Sequence, residues 1–515
     1  MKIKKILITA LLISAVFSSF AQTSSDKELT VVMQRGNLDL NPHTSAYTDE
    51  AQILNSLYEG LFTYNPITSD PENALVESYS TSRDMLVYNF KLKENSFFSN
   101  GRKITAEDIK NSWLALLNTP GAYYASFLDI IKGAKNFRLG KGKAEDVAIF
   151  SKGEYFLRVE LESPASHFPK ILCLHAFAAI DLKDGSFSGP YILDQISDTK
   201  IVLKKNECYR ENCAVNIPKI NILFSSNKED NSVLFNSGIA QWIMADCEVK
   251  TILDKESVLF EPLFGTYYFF FKLRNKNLTQ KVRQALMEAT PWEELRKGSL
   301  CPAATLIFPL TGYSRPAPLD YTDSDHAKTL LNEAKKELGL SDEEVIELTF
   351  EIPEGDSIYE AATLLKYAWG EIGVRLNIKI NSNPAYISEI SKLDSDLFIY
   401  TWIGDFSDPS AFLELFRSDS TLNETLWKDR NFDALLDKAN STKKSSDRLA
   451  ILSEAEDILL SSGVIIPLTH SIDLNVVNKN ELGGYFTNAL GIHPFKHMYF
   501  NPPKSQFQYG KVAKF

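Results

Sequence analysis

Cysteine is scarce in this chain, long apolar runs are confined to its first residues, and there is no excess of positive charge. The five cysteines (Cys173, Cys208, Cys213, Cys247 and Cys301) match no zinc-binding spacing. Cys208 and Cys213 in ECYRENC could close a small disulfide loop, a pairing the sequence leaves open, whereas Cys173 in ILCLHAFAAI reads as a buried free thiol. A formal charge of −11 argues against nucleic acid or an anionic lipid surface as the main partner. Beyond residue 21 no stretch is long and apolar enough to cross a bilayer. Internal repeats and low-complexity tracts are absent, as are a G-x-S-x-G elbow, an H-E-x-x-H pair and a Walker loop, so an enzyme is not expected. His493 and His497 in HPFKH stand four apart, but Pro494 and the turn residues around them oppose a ligand helix. No metal and no cofactor is therefore expected.

What is present starts with a leader. Lys2, Lys4 and Lys5 precede the apolar run ILITALLISAVF, and Ser19-Phe20-Ala21 places small residues at the −3 and −1 positions of a cleavage site. Residues 1–21 read as a signal peptide cleaved near Ala21, which makes the protein exported and periplasmic. The remainder is long enough for two or three packed lobes.

Along that remainder, LTVVMQ reads as a strand, and TDEAQILNSLYEGL sets Ile53, Leu54, Leu57 and Leu61 at helical spacing. MLVYNFKLK alternates, with Leu86, Tyr88, Phe90 and Leu92 on one face, and YFLRVELE repeats the pattern with Tyr155, Leu157, Val159 and Leu161. Between them TAED offers a capping box from Thr105 and Asp108 to a helix carrying Ile109, Trp113, Leu116 and Leu117 inward. From about Leu278 helices and strands alternate, which predicts a mostly parallel, helix-covered sheet.

The stretch DLFIYTWIGDFSDPSAFLELF poses the functional question. Leu397 to Ile403 lacks period-two alternation, so a strand there is buried on both faces. Ser407, Asp408 and Pro409 read as a helix start, with Asp408 as its cap. Asp405 falls in the turn between them, where it is either a helix-entry residue or a binding group, since open sheets bind ligands beyond their strand ends. Acid–base catalysis by Asp405 and Asp408 is the weaker reading.

Several blocks together resemble the peptide-binding (oligopeptide/dipeptide, family 5) solute-binding proteins of ATP-driven importers. These are LDLNPHT with LYEGLFTY, FFSNGRKITAEDIKNSW, SGPYIL with IVLKKNECY, YYFFFKLRNKNLTQKVRQALMEA, and TWIGDFSDPSAFL. The resemblance implies an α/β, two-lobed type II periplasmic binding-protein fold of the large cluster C form, with an additional smaller α+β domain. It implies lobe I over 22–58, 171–265 and 470–515, the inserted domain over 59–170, and lobe III over 266–469. It also implies a monomer that binds a peptide, engages a membrane permease, and avoids nucleic acid.

By the same resemblance Asp405 holds the peptide's ammonium, while Thr401, Ile403 and Gly404 supply strand-like contacts from one side and Ala46, Tyr47 and Thr48 from the other; Trp402 is either a ring on which a sugar would stack or a core residue. Tyr124 either lines the cleft or is ordinary packing. An arginine and a histidine of some relatives are replaced by Ile399 and Tyr359, Arg296 could supply a basic group near the peptide's C-terminus, and Gly238-Ile239-Ala240-Gln241 lacks the usual aspartate of its motif. Non-peptide cargo (a nickel complex, haem, an opine or an oligosaccharide) is the alternative, as is a fold relative acting as adhesin, sensor or chaperone.

Overall fold

The computed structural model describes residues 27–502 apart from 35–37, 46, 311, 384–385, 405 and 421, and the side chains of 387–388. The expected leader, Ala46 and Asp405 thus lie outside the described residues. One ten-stranded sheet runs through the molecule in the order Val374–Asn381, Ile346–Pro353, Leu397–Ile403, Val258–Phe271, Ile465–Val477, Trp242–Ile243, Leu29–Met33, Lys219–Phe224, Lys200–Lys205 and Tyr191–Ser197. It is mixed rather than mostly parallel. The expected parallel alternation holds among Ile346–Pro353, Val374–Asn381 and Leu397–Ile403, but hairpins and two long crossing strands add antiparallel pairs.

Those long strands, Val258–Phe271 and Ile465–Val477, join the two halves. Their antiparallel register runs from Val258–Val476 to Pro262–Ile472, breaks, and resumes at Thr266–His470. Residues 263–265 therefore face Ser471 alone, a bulge that bends the pair. Gly265 is needed there, because a Cβ would lie 2.8 Å from the Ser471 Oγ. Phe264 ties both sides: its N–H donates to the Ala489 carbonyl (2.6 Å) and its carbonyl accepts from Gly404 N–H (2.6 Å).

A separate four-stranded antiparallel sheet pairs Val76–Thr81, Val87–Leu92, Phe156–Glu160 and Ile149–Lys152 in that order. Tyr88, Phe90, Leu92, Leu157 and Val159 are buried, which is what period-two alternation produces when one face meets a core. Against it packs the helix Ala106–Leu117 through Ile109, Trp113, Leu116 and Leu117. Its capping box forms: Thr105 N–H donates to Asp108 Oδ2 (2.8 Å), and Asp108 N–H to Thr105 Oγ1 (3.4 Å).

One local reading needs correction, and one open pairing is decided. The first helix spans Thr48–Leu57 and ends where Tyr58 turns extended, so Leu61 reaches the core from the segment after it. Cys208 and Cys213 are both free, as are the other three cysteines, so the ECYRENC loop is not bridged.

Candidate ligand-binding cleft

The strand Leu397–Ile403 lies beside one crossing strand, paired from Gly265–Ile403 to Phe271–Leu397. On its other edge the parallel partner Ile346–Pro353 pairs only with Leu397 and Phe398. Beyond Phe398 that edge has no strand partner among the described residues; the Ile399 N–H is taken by the Tyr386 hydroxyl (3.2 Å), and an added strand would meet the edge from Thr401 on. Thr401 and Ile403 are half-buried, and Gly404 closes the strand where a Cβ would meet Phe264 Cδ1 at 2.4 Å. The main chain must pass this close to the crossing strand, which fixes glycine at 404.

Trp402 is 5% exposed, and its indole N–H donates to the Ala411 carbonyl (2.8 Å). Its ring stacks on Tyr123, which belongs to the segment carrying the four-stranded sheet, with centroids 6.3 Å apart. The same segment continues this wall. Phe406 stacks on His167 (6.0 Å, 12° between planes) and meets Phe127 edge-on. Lys170 Nζ donates to the Ser407 carbonyl (2.7 Å). The turn after the strand is therefore enclosed by side chains far away in sequence, none of which the sequence reading selected.

Behind the turn lies a buried ion pair. Asp408 accepts two bonds from Arg448 (2.7 and 2.9 Å) and also caps Ser410, through its N–H (3.1 Å) and its hydroxyl (2.7 Å). Arg448 Nη2 further donates to His167 Nδ1 (3.2 Å), so that nitrogen carries no proton and His167 is neutral. Burial, with Arg448 adding to it, pushes His167 down to about 4. Burial alone would raise Asp408, but Arg448 overrides it and holds the carboxyl well below the usual range. Asp408 was expected to act as a helix cap; it does so, and its larger role is as the counter-ion of Arg448.

The remaining expected positions scatter. Tyr47 is 69% exposed just ahead of the helix Thr48–Leu57, and Thr48 opens that helix. Tyr124 is buried, edge-on to Tyr123, Phe127 and His175, which places it in packing. Tyr359 is 48% exposed on the helix Asp356–Glu371. Arg296 is buried over Trp292, donating to the carbonyls of Leu319 (2.5 Å) and Pro467 (3.0 Å). Among the described residues neither Tyr359 nor Arg296 forms a hydrogen bond or ring contact with Thr401–Gly404. The Arg296 guanidinium is thus held on two carbonyls.

Two lobes crossed by a pair of long strands, with a smaller α+β domain closing on the strand end, define a type II periplasmic binding protein of the large cluster C form. The model for bacterial extracellular solute-binding proteins, family 5 (middle region), matches residues 70–424, and the chain belongs to that family. It is similar to the dipeptide-binding protein DppE of Bacillus subtilis, 25% identical with 90% of each chain covered. The oligopeptide-binding protein OppA of the same organism is also 25% identical, with 92% of each chain covered. In three dimensions it resembles the murein tripeptide binding protein MppA of Escherichia coli, with a TM-score of 0.76 at 21% identity, covering 92% of this chain and 98% of that one. Among the described residues no helix is long and apolar enough to cross a membrane.

Proposed function

We propose that this protein is an exported, non-catalytic receptor that captures peptides between two closing lobes and delivers them to an ATP-driven membrane permease. The observation that carries this reading is the strand edge at Thr401–Ile403, to which no strand pairs among the described residues, set at the junction of the two halves and faced by the aromatic wall of the α+β domain. A peptide added there is held through its main chain, which tolerates varied side chains. Relatives named for dipeptides, oligopeptides and a murein tripeptide support the same ligand class. In this reading lobe I comprises 22–58, 171–265 and 470–515, lobe III comprises 266–469, and 59–170 forms the inserted domain. The register break at 263–265 is the hinge.

Asp405, between Gly404 and Phe406, supplies the counter-charge for the peptide's ammonium, because a cation shut away from water needs one. An oligosaccharide stacked on Trp402 is disfavoured, since that ring is buried and already covered by Tyr123. Native mass spectrometry of the purified protein, followed by identification of whatever it releases, tests the ligand class. Peptides of mixed sequence are expected, and a sugar, haem or metal complex would overturn the reading. Calorimetry then tests the anchor: Asp405→Asn should weaken a free-amine peptide about a hundredfold, roughly 3 kcal/mol. It should barely affect the same peptide N-acetylated. Equal loss for both would remove the amine role.

A further inference from the structure

Immediately below the register break, Glu261 and Asp473 are direct cross-strand partners on the two long strands. Like charges set opposite each other repel, and here they are largely withdrawn from water. His493 joins them from the segment after the second strand. Its Nδ1 lies 2.8 Å from the Phe486 carbonyl and must donate to it, so Nε2 carries a lone pair. That lone pair is 3.5 Å from Glu261 Oε2 and 3.2 Å from the Tyr485 hydroxyl. One ligand atom from each of Glu261, Asp473 and His493 lies within 4.8 Å of the others.

The site has more acceptors than donors. Trp242 N–H donates to Asn475 Oδ1 (2.8 Å), which orients the amide so that its NH2 donates to Asp473 Oδ2 (2.8 Å) and Glu261 Oε2 (3.3 Å). The Tyr485 hydroxyl has one hydrogen to share between Glu261 Oε2 (3.0 Å) and His493. With the Leu474 backbone N–H on Asp473, four hydrogens thus face four carboxylate oxygens and an imidazole lone pair. Glu261 is 3% exposed, and its Oε1 has no hydrogen-bond partner among the described residues.

Several other buried carboxylates are answered by a base (Glu59 by Arg210, Asp408 by Arg448 and Glu351 by Lys379), while Glu456 is held by the Tyr313 hydroxyl and the Ile307 N–H. Among the described residues no lysine or arginine forms an ion pair with Glu261 or Asp473. Burial, with Asp473 adding to it, pushes Glu261 up to about 7, and burial also raises Asp473.

We propose that Glu261, Asp473 and His493 form a binding site for a divalent transition-metal ion of the zinc class, with the fourth position left to the Tyr485 hydroxyl or water. One imidazole and two carboxylates suit such an ion better than magnesium or calcium, and a ligand histidine held by a backbone carbonyl is the usual supporting arrangement. The ion would pin both crossing strands and the following segment together at the base of the bend. The test of this site needs no peptide.

The full protein, stripped with a chelator, is titrated with Zn2+ by calorimetry and by native mass spectrometry. One ion per chain and a raised melting temperature are expected, with at least tenfold weaker binding in Asp473→Asn and His493→Gln. Because His493 is buried, Asp473→Asn carries the test if His493→Gln does not fold. Failure of the wild type to bind at micromolar Zn2+, or unchanged binding in Asp473→Asn, overturns the proposal. Absent binding together with a Glu261→Gln variant more stable than wild type would assign the place to a shared proton instead.

Discussion

Asp408 shows how a residue can be read correctly and still be undervalued. Beside Pro409 its carboxylate caps the short helix Ser410–Leu413, and losing a cap alone costs about 1 kcal/mol. Its partner Arg448 lies 40 residues on, and nothing local in the sequence joins them. Removing one member of a buried pair leaves the other charge uncompensated, at roughly 3–5 kcal/mol. Asp408→Ala should therefore lower urea-denaturation stability by that amount, and Arg448→Ala by a similar one. The double variant should cost much less than their sum, since each change removes the same interaction; a cost near 1 kcal/mol for Asp408→Ala would reduce the residue to a cap. Gly404 is a second case. A methyl group there collides with Phe264, so Gly404→Ala should cost about 1–3 kcal/mol and weaken ligand binding, because it displaces the strand end itself.

At the scale of elements, legibility follows the range of the forces involved. The capping box at Thr105 and Asp108 and the alternating strands at 87–92 and 156–160 depend on neighbours within a few residues or on one buried face. Both leave a mark in sequence. Thr105→Ala should cost about 1 kcal/mol of thermal or urea stability and leave ligand affinity unchanged, since the capping bonds of Thr105 go to Asp108 and not to Thr401–Gly404. A large loss of affinity would mean that the domain's packing reaches the cleft. The mixed sheet left no such mark. Its two central strands mix apolar residues with polar ones such as Glu261, Thr266, His470 and Asp473, and their break at 263–265 arises from the crossing of two halves, not from local propensity. The strand end itself was legible through its block of residues. The wall of Tyr123, Phe127, His167 and Lys170 was not, because each is brought to the turn by tertiary folding alone.

For the whole molecule, the decisive feature is how many histidines it buries without charge. His43, His167, His175, His470 and His493 are all pushed down to about 4, chiefly by burial, from an ordinary value of 6.5. The unfolded chain therefore binds more protons than the folded one between about pH 4 and 6.5, and stability falls as pH drops through that window. Three carboxyls act oppositely. Burial raises Glu261 and Glu456 to about 7 and Asp49 to about 6, so the folded state gains their protons first and is favoured on acidification down to about 4.5. Five groups outweigh three, and the raised Asp473 narrows the margin. The net is one or two protons near pH 5.5, or roughly 1–3 kcal/mol of stability lost per pH unit. Below about pH 4 the unfolded chain protonates Asp408 while the folded one, paired with Arg448, does not, which steepens the loss. Urea unfolding of metal-free protein at pH 7, 6 and 5 measures this directly. A midpoint that falls steadily is expected, with a shallower fall in His167→Gln, which carries one titrating group fewer. A midpoint that is level or rising towards pH 5 would mean that the buried histidines are not held neutral, and the neutral acceptor assigned to His167 beside Arg448 would go with them.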